Sequence, residues 1–253
     1  MDELKSLLQM TQEELKYRLF MMLREKQMNP VYEEGYVYAK GDIPILLVAH
    51  MDTVAPRQPR HIIYNEEEDI LYNPEGILGG DDRCGVYAIL KLLEKHRPHV
   101  LFTEDEEIGG LGAVQAVETL AKPDVKYIIE FDRQGKNDCV FYNCGNQKFI
   151  RYVKKFGFKE KQGTFSDIFV LGSAWDIASV NLSCGYYKEH TPKEHIVFRQ
   201  LEKTISKADK MHNAVDKAHS FDYQDKEKSL NVVKQLKYLN TYYRGYNPYD
   251  LWE

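Results

Sequence analysis

The chain has 253 residues, 43% of them hydrophobic and 29% charged, a composition that supports a sizeable buried core and excludes disorder as the default state. Its net charge of -5 comes from interspersed signs rather than a basic face, so nucleic acid is not an expected partner. No apolar run approaches the roughly 18 residues that a membrane span needs, so no membrane is expected either.

Residues 1–23 place Leu4, Leu7, Leu8, Leu15, Leu19 and Leu23 at helical spacing. This predicts one or two surface-packed helices rather than a signal peptide, and a cytoplasmic protein. A short apolar stretch at 36–40, a turn at Gly41-Asp42 and the run 43–49 follow. That run is continuous rather than alternating, which fits a strand buried on both faces. Residues 61–80 alternate and turn like a hairpin, and 85–96 read as an amphipathic helix. A strand at 99–103, a helix over 113–120 and a strand at 125–131 repeat the alternation. Residues 147–156 look helical, 168–171 are short and apolar, and 178–184 form the last strand of the series. Pro192 sits near the start of a helix carrying Ile196, Leu201 and Ile205, and one more helix is expected over 226–242.

Strands alternating with helices imply an α/β fold, a three-layer α/β/α sandwich around a mostly parallel, mixed central sheet. We read residues 1–253 as one catalytic domain. It has an N-terminal helical segment at 1–26 and a C-terminal extension at 211–253 whose role and bearing on oligomeric state stay open. Cys84, Cys139, Cys144 and Cys184 show no paired metal-binding spacing and are expected to be small buried thiols.

Open α/β sheets bind ligands at the carboxyl ends of their strands. The apolar runs here are followed by His50-Met51-Asp52, by Glu104-Asp105-Glu106-Glu107, by Asp132 and by His190, while Asp81-Asp82 precede the helix at Gly85. Imidazole nitrogen and carboxylate oxygen suit zinc where no thiolate is offered. Two ions need about three groups each with one carboxylate shared, and two histidines with three carboxylates meet that count. One strand-end acid is usually a cap or a solvated charge. Recurrence after successive buried strands points instead to a site.

In order, His50-Met51-Asp52, Gly80-Asp81-Asp82-Arg83-Cys84-Gly85, Asp105-Glu106-Glu107-Ile108-Gly109, Phe131-Asp132 and His190-Thr191-Pro192-Lys193-Glu194 resemble the motifs of the co-catalytic zinc exopeptidases. That clan includes leucyl-type and glutamyl aminopeptidases, peptidase T and zinc carboxypeptidases, and the resemblance runs over residues 43–205. It implies that Asp81 bridges two divalent metal ions, with His50 and Asp132 completing one site and Glu107 and His190 the other. Zinc is the default ion, although cobalt or manganese can occupy such cages. Asp52 would fix the tautomer of His50 from behind, and the peptide Asp81-Asp82 would be cis. Glu106 would act as general base, taking a proton from a water bridging the metals and returning it to the leaving amine.

The gaps between motifs, 28 residues over 53–80 and 57 over 133–189, leave no room for the inserted lid or dimerisation domain of several clan branches. The expected activity is therefore that of a lid-less aminopeptidase releasing N-terminal residues from short peptides. A deacylase acting on N-acyl amino acids would use the same site, and a non-catalytic binding protein is the reading from another class. Gly109-Gly110-Leu111-Gly112 lacks the spacing of a nucleotide-binding turn and follows four acids that repel phosphate.

Among lesser features, Asp167 is either a wall of the site or a loop cap. Tyr186, Tyr187 and Arg133 flank ligands and serve substrate, oxyanion or packing. His61, His96, His99, His195, His212 and His219 match no motif, and the acidic run 66–69 reads as a solvated turn.

Overall fold

The N-terminal leucines define two helices, α1 (Asp2–Leu8) and α2 (Gln12–Glu25), and all six lie buried. Thr11 opens α2 with a reciprocal cap: its Oγ1 accepts from Glu14 N, and the Glu14 carboxylate accepts from Thr11 N. The computed structural model describes residues 1–142, 144–215 and 220–224. The predicted helix over 226–242 and His219 lie outside these.

Next along the chain come β1 (Val31–Glu33), β2 (Tyr36–Ala39), β3 (Ile43–His50) and a hairpin of β4 (Ile63–Asn65) and β5 (Ile70–Tyr72). They are followed by α3 (Gly80–Leu92), β6 (Pro98–Thr103), α4 (Leu111–Thr119), β7 (Tyr127–Arg133) and β8 (Asp138–Val140). The rest is α5 (Gln147–Lys154), β9 (Lys159–Glu160), α6 (Asp167–Trp175), β10 (Ser179–Ser183), β11 (Tyr186–Tyr187), β12 (His195–Val197) and α7 (Phe198–Asn213).

Eight strands form the main sheet in the order β1-β2-β6-β3-β7-β10-β8-β9. The central four, β6, β3, β7 and β10, run parallel, whereas β1, β2 and β8 pair antiparallel. The parallel strands therefore end together along one edge. Their continuous apolar patterns arise because both faces are covered: Leu47 and Ala49 of β3 join one core, and Leu46 and Val48 join the other beneath α4 and α6. Burying such a side chain contributes about 1.5–3 kcal/mol, so this register is firmly set. The architecture is the α/β/α sandwich with a mixed, mostly parallel sheet that the alternation predicts.

Three expectations are corrected. Residues 178–184 are not the last strand, because a second antiparallel sheet, β11-β12-β5-β4, follows. Ile196 accordingly lies in β12, paired with Leu71 and fully buried, so the helix starts at Phe198 and Pro192 belongs to the turn before. The edge of β5 supplies backbone partners that a helix there would leave unmet. Finally, Asp69 is not part of a solvated turn: its buried carboxylate accepts from Tyr64 Oη, Arg199 N and Arg199 Nε at 2.8, 2.8 and 3.0 Å, tying the hairpin to the start of α7.

Residues 220–224 return to the amino ends of the central strands. Phe221 N donates to Lys126 O and Phe221 O accepts from Ala178 N, while Phe221 and Tyr223 are buried. This part of the C-terminal extension lies at the opposite end of the sheet from the strand ends that gather the acids. No helix among the described residues is long and apolar enough to cross a membrane.

Candidate metal centre

The carboxyl ends of β3, β6 and β7, the start of α3 and the loop between β11 and β12 converge. His50 Nε2 lies 3.1 Å from Asp81 Oδ1 and 3.7 Å from Asp132 Oδ1. His190 Nε2 lies 3.2 Å from Asp81 Oδ2 and 2.8 Å from Glu107 Oε1. These are two triads, His50-Asp81-Asp132 and Asp81-Glu107-His190, whose ligand atoms within each fall inside 4.8 Å, and Asp81 belongs to both. All five residues singled out in the sequence as ligands are thus brought together.

Each is placed by a local device. Asp52 is buried behind His50, with Oδ1 3.1 Å from His50 Nδ1. The same carboxylate accepts from Glu106 N and Glu107 N at 3.1 and 3.0 Å, so it fixes both a histidine and the acidic loop. The loop is held from its other side as well. Glu104 Oε2 lies 2.5 Å from Lys16 Nζ and accepts from Gly35 N, and Lys16 itself is almost fully buried. Gly112 closes this turn, since a Cβ there would sit 2.3 Å from Gly35 O and 2.5 Å from Glu104 O.

The first turn of α3 is irregular, and the peptide Asp81-Asp82 is cis. The Leu78, Gly79, Gly80 and Asp81 amides, which no Ser, Thr or Asn caps, all donate to the carboxylate of Glu194 at 3.0, 2.7, 2.8 and 3.2 Å. An anion at a helix start is favoured by the exposed N–H groups. In the sequence Glu194 stands within the last motif without an assigned role. The uncapped helix start at Leu78-Gly79-Gly80 is the signal that an acceptor has to come from elsewhere. Asp82 turns inward, its Oδ1 accepting from Gly85 N at 2.8 Å in the space a Cβ of residue 85 would fill.

Of the lesser features, Tyr186 is buried and its hydroxyl donates to Asp132 Oδ1 at 3.2 Å. Tyr187 turns away, stacked on His195 and donating to Gln200. Asp167 is no solvated cap: it is fully buried at the start of α6 and accepts from Thr103 Oγ1. His99 pairs with Tyr38 Oη, His96 with Asp209, His61 with Glu75, and His212 is buried against Ala208 O. None of these joins either triad, and all four cysteines are buried free thiols.

The electrostatics show whether this donor set suits cations. Burial, then the neighbouring Asp81, pushes the Asp132 carboxyl up to about 8. Burial and the negative charge of Asp132 likewise raise Glu106 well above the carboxylate range. Hydrogen bonds to Asp81 and Glu107 carry His190 up to about 10. Burial works against the ionised Asp52, but His50 and the Glu107 and Glu106 amides outweigh it and hold that carboxyl low. Closely spaced acids that retain protons, beside histidines that gain them, form a cluster short of positive charge. Two nitrogen and oxygen triads with one shared carboxylate fit a pair of divalent ions.

Solved structures share this fold. The aminopeptidase PepT of Bacillus cereus superposes with a TM-score of 0.66 at 15% identity, covering 85% of this chain and 97% of that one. A tripeptidase of Staphylococcus aureus gives 0.62 at 16% identity with the same coverage. A peptidase of Pyrococcus horikoshii, which can assemble into a tetrahedron or a large octahedral shell, gives 0.60 at 14% identity, covering 83% and 98%. No protein-family model and no curated protein sequence matches the chain. The fold is that of the zinc exopeptidases, as the order of its motifs leads one to expect.

Proposed function

We propose that the chain is a metal-dependent exopeptidase, an aminopeptidase releasing N-terminal residues from short peptides. The observation that carries this reading is the pair of ligand triads joined at Asp81. The shared fold of named aminopeptidases and a tripeptidase supports it.

In this reading His50 and Asp132 hold one ion, Glu107 and His190 the other, and Asp81 both. A pair of divalent ions held by these residues, zinc by default, would supply Lewis-acid polarisation of the scissile carbonyl and a more acidic water. The residues do the rest. Asp52 fixes the ring of His50 so that Nε2 faces Asp81 and Asp132. Glu106 belongs to neither triad, yet its amide donates to Asp52, the carboxylate that also meets His50 of one triad and the amide of Glu107 of the other. A carboxylate next to a ligand but not itself one is free to accept a proton from the attacking water and deliver it to the leaving amine.

Purified protein, native and Glu106→Gln, tests this by metal analysis and a panel of free-amine aminoacyl substrates beside N-acyl ones. Expected are about two ions per chain in both, cleavage of free-amine substrates by the native form, and a loss of at least about 100-fold in kcat for the variant. Cleavage confined to N-acyl substrates would make the protein a deacylase, and absence of metal under repletion would remove the centre altogether.

A further inference from the structure

A peptide with a free N-terminus carries an ammonium ion next to the bond to be cut. A site selective for it needs an anionic oxygen beside the cage that no other group occupies. Most nearby carboxylates fail that requirement. Asp81, Glu107 and Asp132 are assigned to metals and Glu106 to proton transfer. Asp52 and Glu194 are engaged with backbone amides, and Glu104 is engaged with Lys16. Asp82, Glu130 and Asp167 are fully enclosed.

Glu189 differs from all of these. It precedes His190 on the loop between β11 and β12, and both of its neighbours, Lys188 and His190, have left-handed backbone at φ 58 and 61. Its Oε1 accepts from Gln134 Nε2 at 2.5 Å, which ties it to the chain just past Asp132. Its Oε2 is buried and has no hydrogen-bond partner among the described residues. The next residue, His190, has its Nε2 3.2 Å from Asp81 Oδ2, so Glu189 stands on the segment that closes the outer triad. Arg133 does not hydrogen-bond this oxygen, and its own Nε is likewise buried without a partner. A half-buried carboxylate held by one oxygen, with the other unmatched on the loop next to His190, carries a desolvation cost that an incoming N–H donor would remove.

We propose that Glu189 receives the protonated α-amine of the substrate and so selects free N-termini. This rests on the exopeptidase reading above. The ammonium donates to Oε2 while Gln134 keeps Oε1 in place, and an N-acylated substrate, uncharged at that nitrogen, gains nothing from the contact.

The test compares metal-replete native protein with Glu189→Gln and Glu189→Asp on the best aminoacyl p-nitroanilide of the panel. Inhibition by the released amino acid and by its N-acetyl form is measured alongside, with metal content. Glu189→Gln is expected to raise KM and the inhibition constant of the free amino acid by about 10- to 100-fold. The N-acetyl inhibitor should shift less than about twofold, kcat should fall far less than KM rises, and Glu189→Asp should restore part of the loss. An unchanged KM and unchanged inhibition by the free amino acid would overturn the assignment, and so would loss of a metal ion in Glu189→Gln. A native protein that cleaves no free-amine substrate brings down the exopeptidase reading and Glu189 with it. An active native protein with an equally selective variant removes Glu189 alone.

Discussion

The two histidines of the centre are held in opposite ways. His50 ends a parallel strand inside the sheet, its side chain is 1% exposed, and its second ring nitrogen meets Asp52. His190 stands on a loop of the small second sheet, its side chain is 45% exposed, and its backbone is left-handed. One triad is thus built into the framework and the other is closed by a peripheral turn. Where a ligand's orientation is fixed before the ion arrives, less ordering remains to be done on binding, so the inner triad is expected to retain its ion more firmly.

The sharpest way to break this comparison is Asp81→Ala, which removes a ligand from both triads at once. Metal content is expected to fall from about two ions per chain to well below one, with turnover lost in parallel; retention of one full ion would show the triads to be independent. Next in size is Asp52→Asn, which withdraws the charge behind His50 while keeping the shape. About 10- to 100-fold weaker binding of the ion at His50 is expected, with a smaller loss at the Glu107 triad because an amide nitrogen cannot accept from the loop's N–H groups, as read by metal titration. The smallest effect is in the native protein itself. Graded chelation should remove the ions in two steps, the first reversed by stoichiometric metal, and His190→Ala should abolish that first step. Simultaneous release would mean that exposure of His190 does not matter.

Much of this was legible in the sequence. The runs ending at His50, Thr103 and Phe131 are buried on both faces, which makes them continuous and apolar, and the residues after them stand at the strand ends where parallel sheets gather ligands. What stayed hidden depends on partners remote along the chain. The strands β11 and β12 are two and three residues long and carry no period of their own; Ile196 is a strand residue only because β5 lies beside it. Asp69 reads as one more acid in a polar turn until Arg199 is brought to it. Lys16 and Glu104 are 88 residues apart, and neither announces the other.

The four amides gathered by Glu194 carry a consequence for the order in which the protein is made. The shared ligand Asp81 is emitted early in synthesis, but the carboxylate that fixes its turn lies 113 residues later. His190 also comes late, only four residues before Glu194. A growing chain that has already assembled β3, α3 and β7 therefore holds His50, Asp81 and Asp132 without the anchor that aligns them. In the proposed reading the two triads are complete only when the segment carrying His190 and Glu194 folds back onto the start of α3, so a fragment ending before it would have the sheet but lack one triad's histidine.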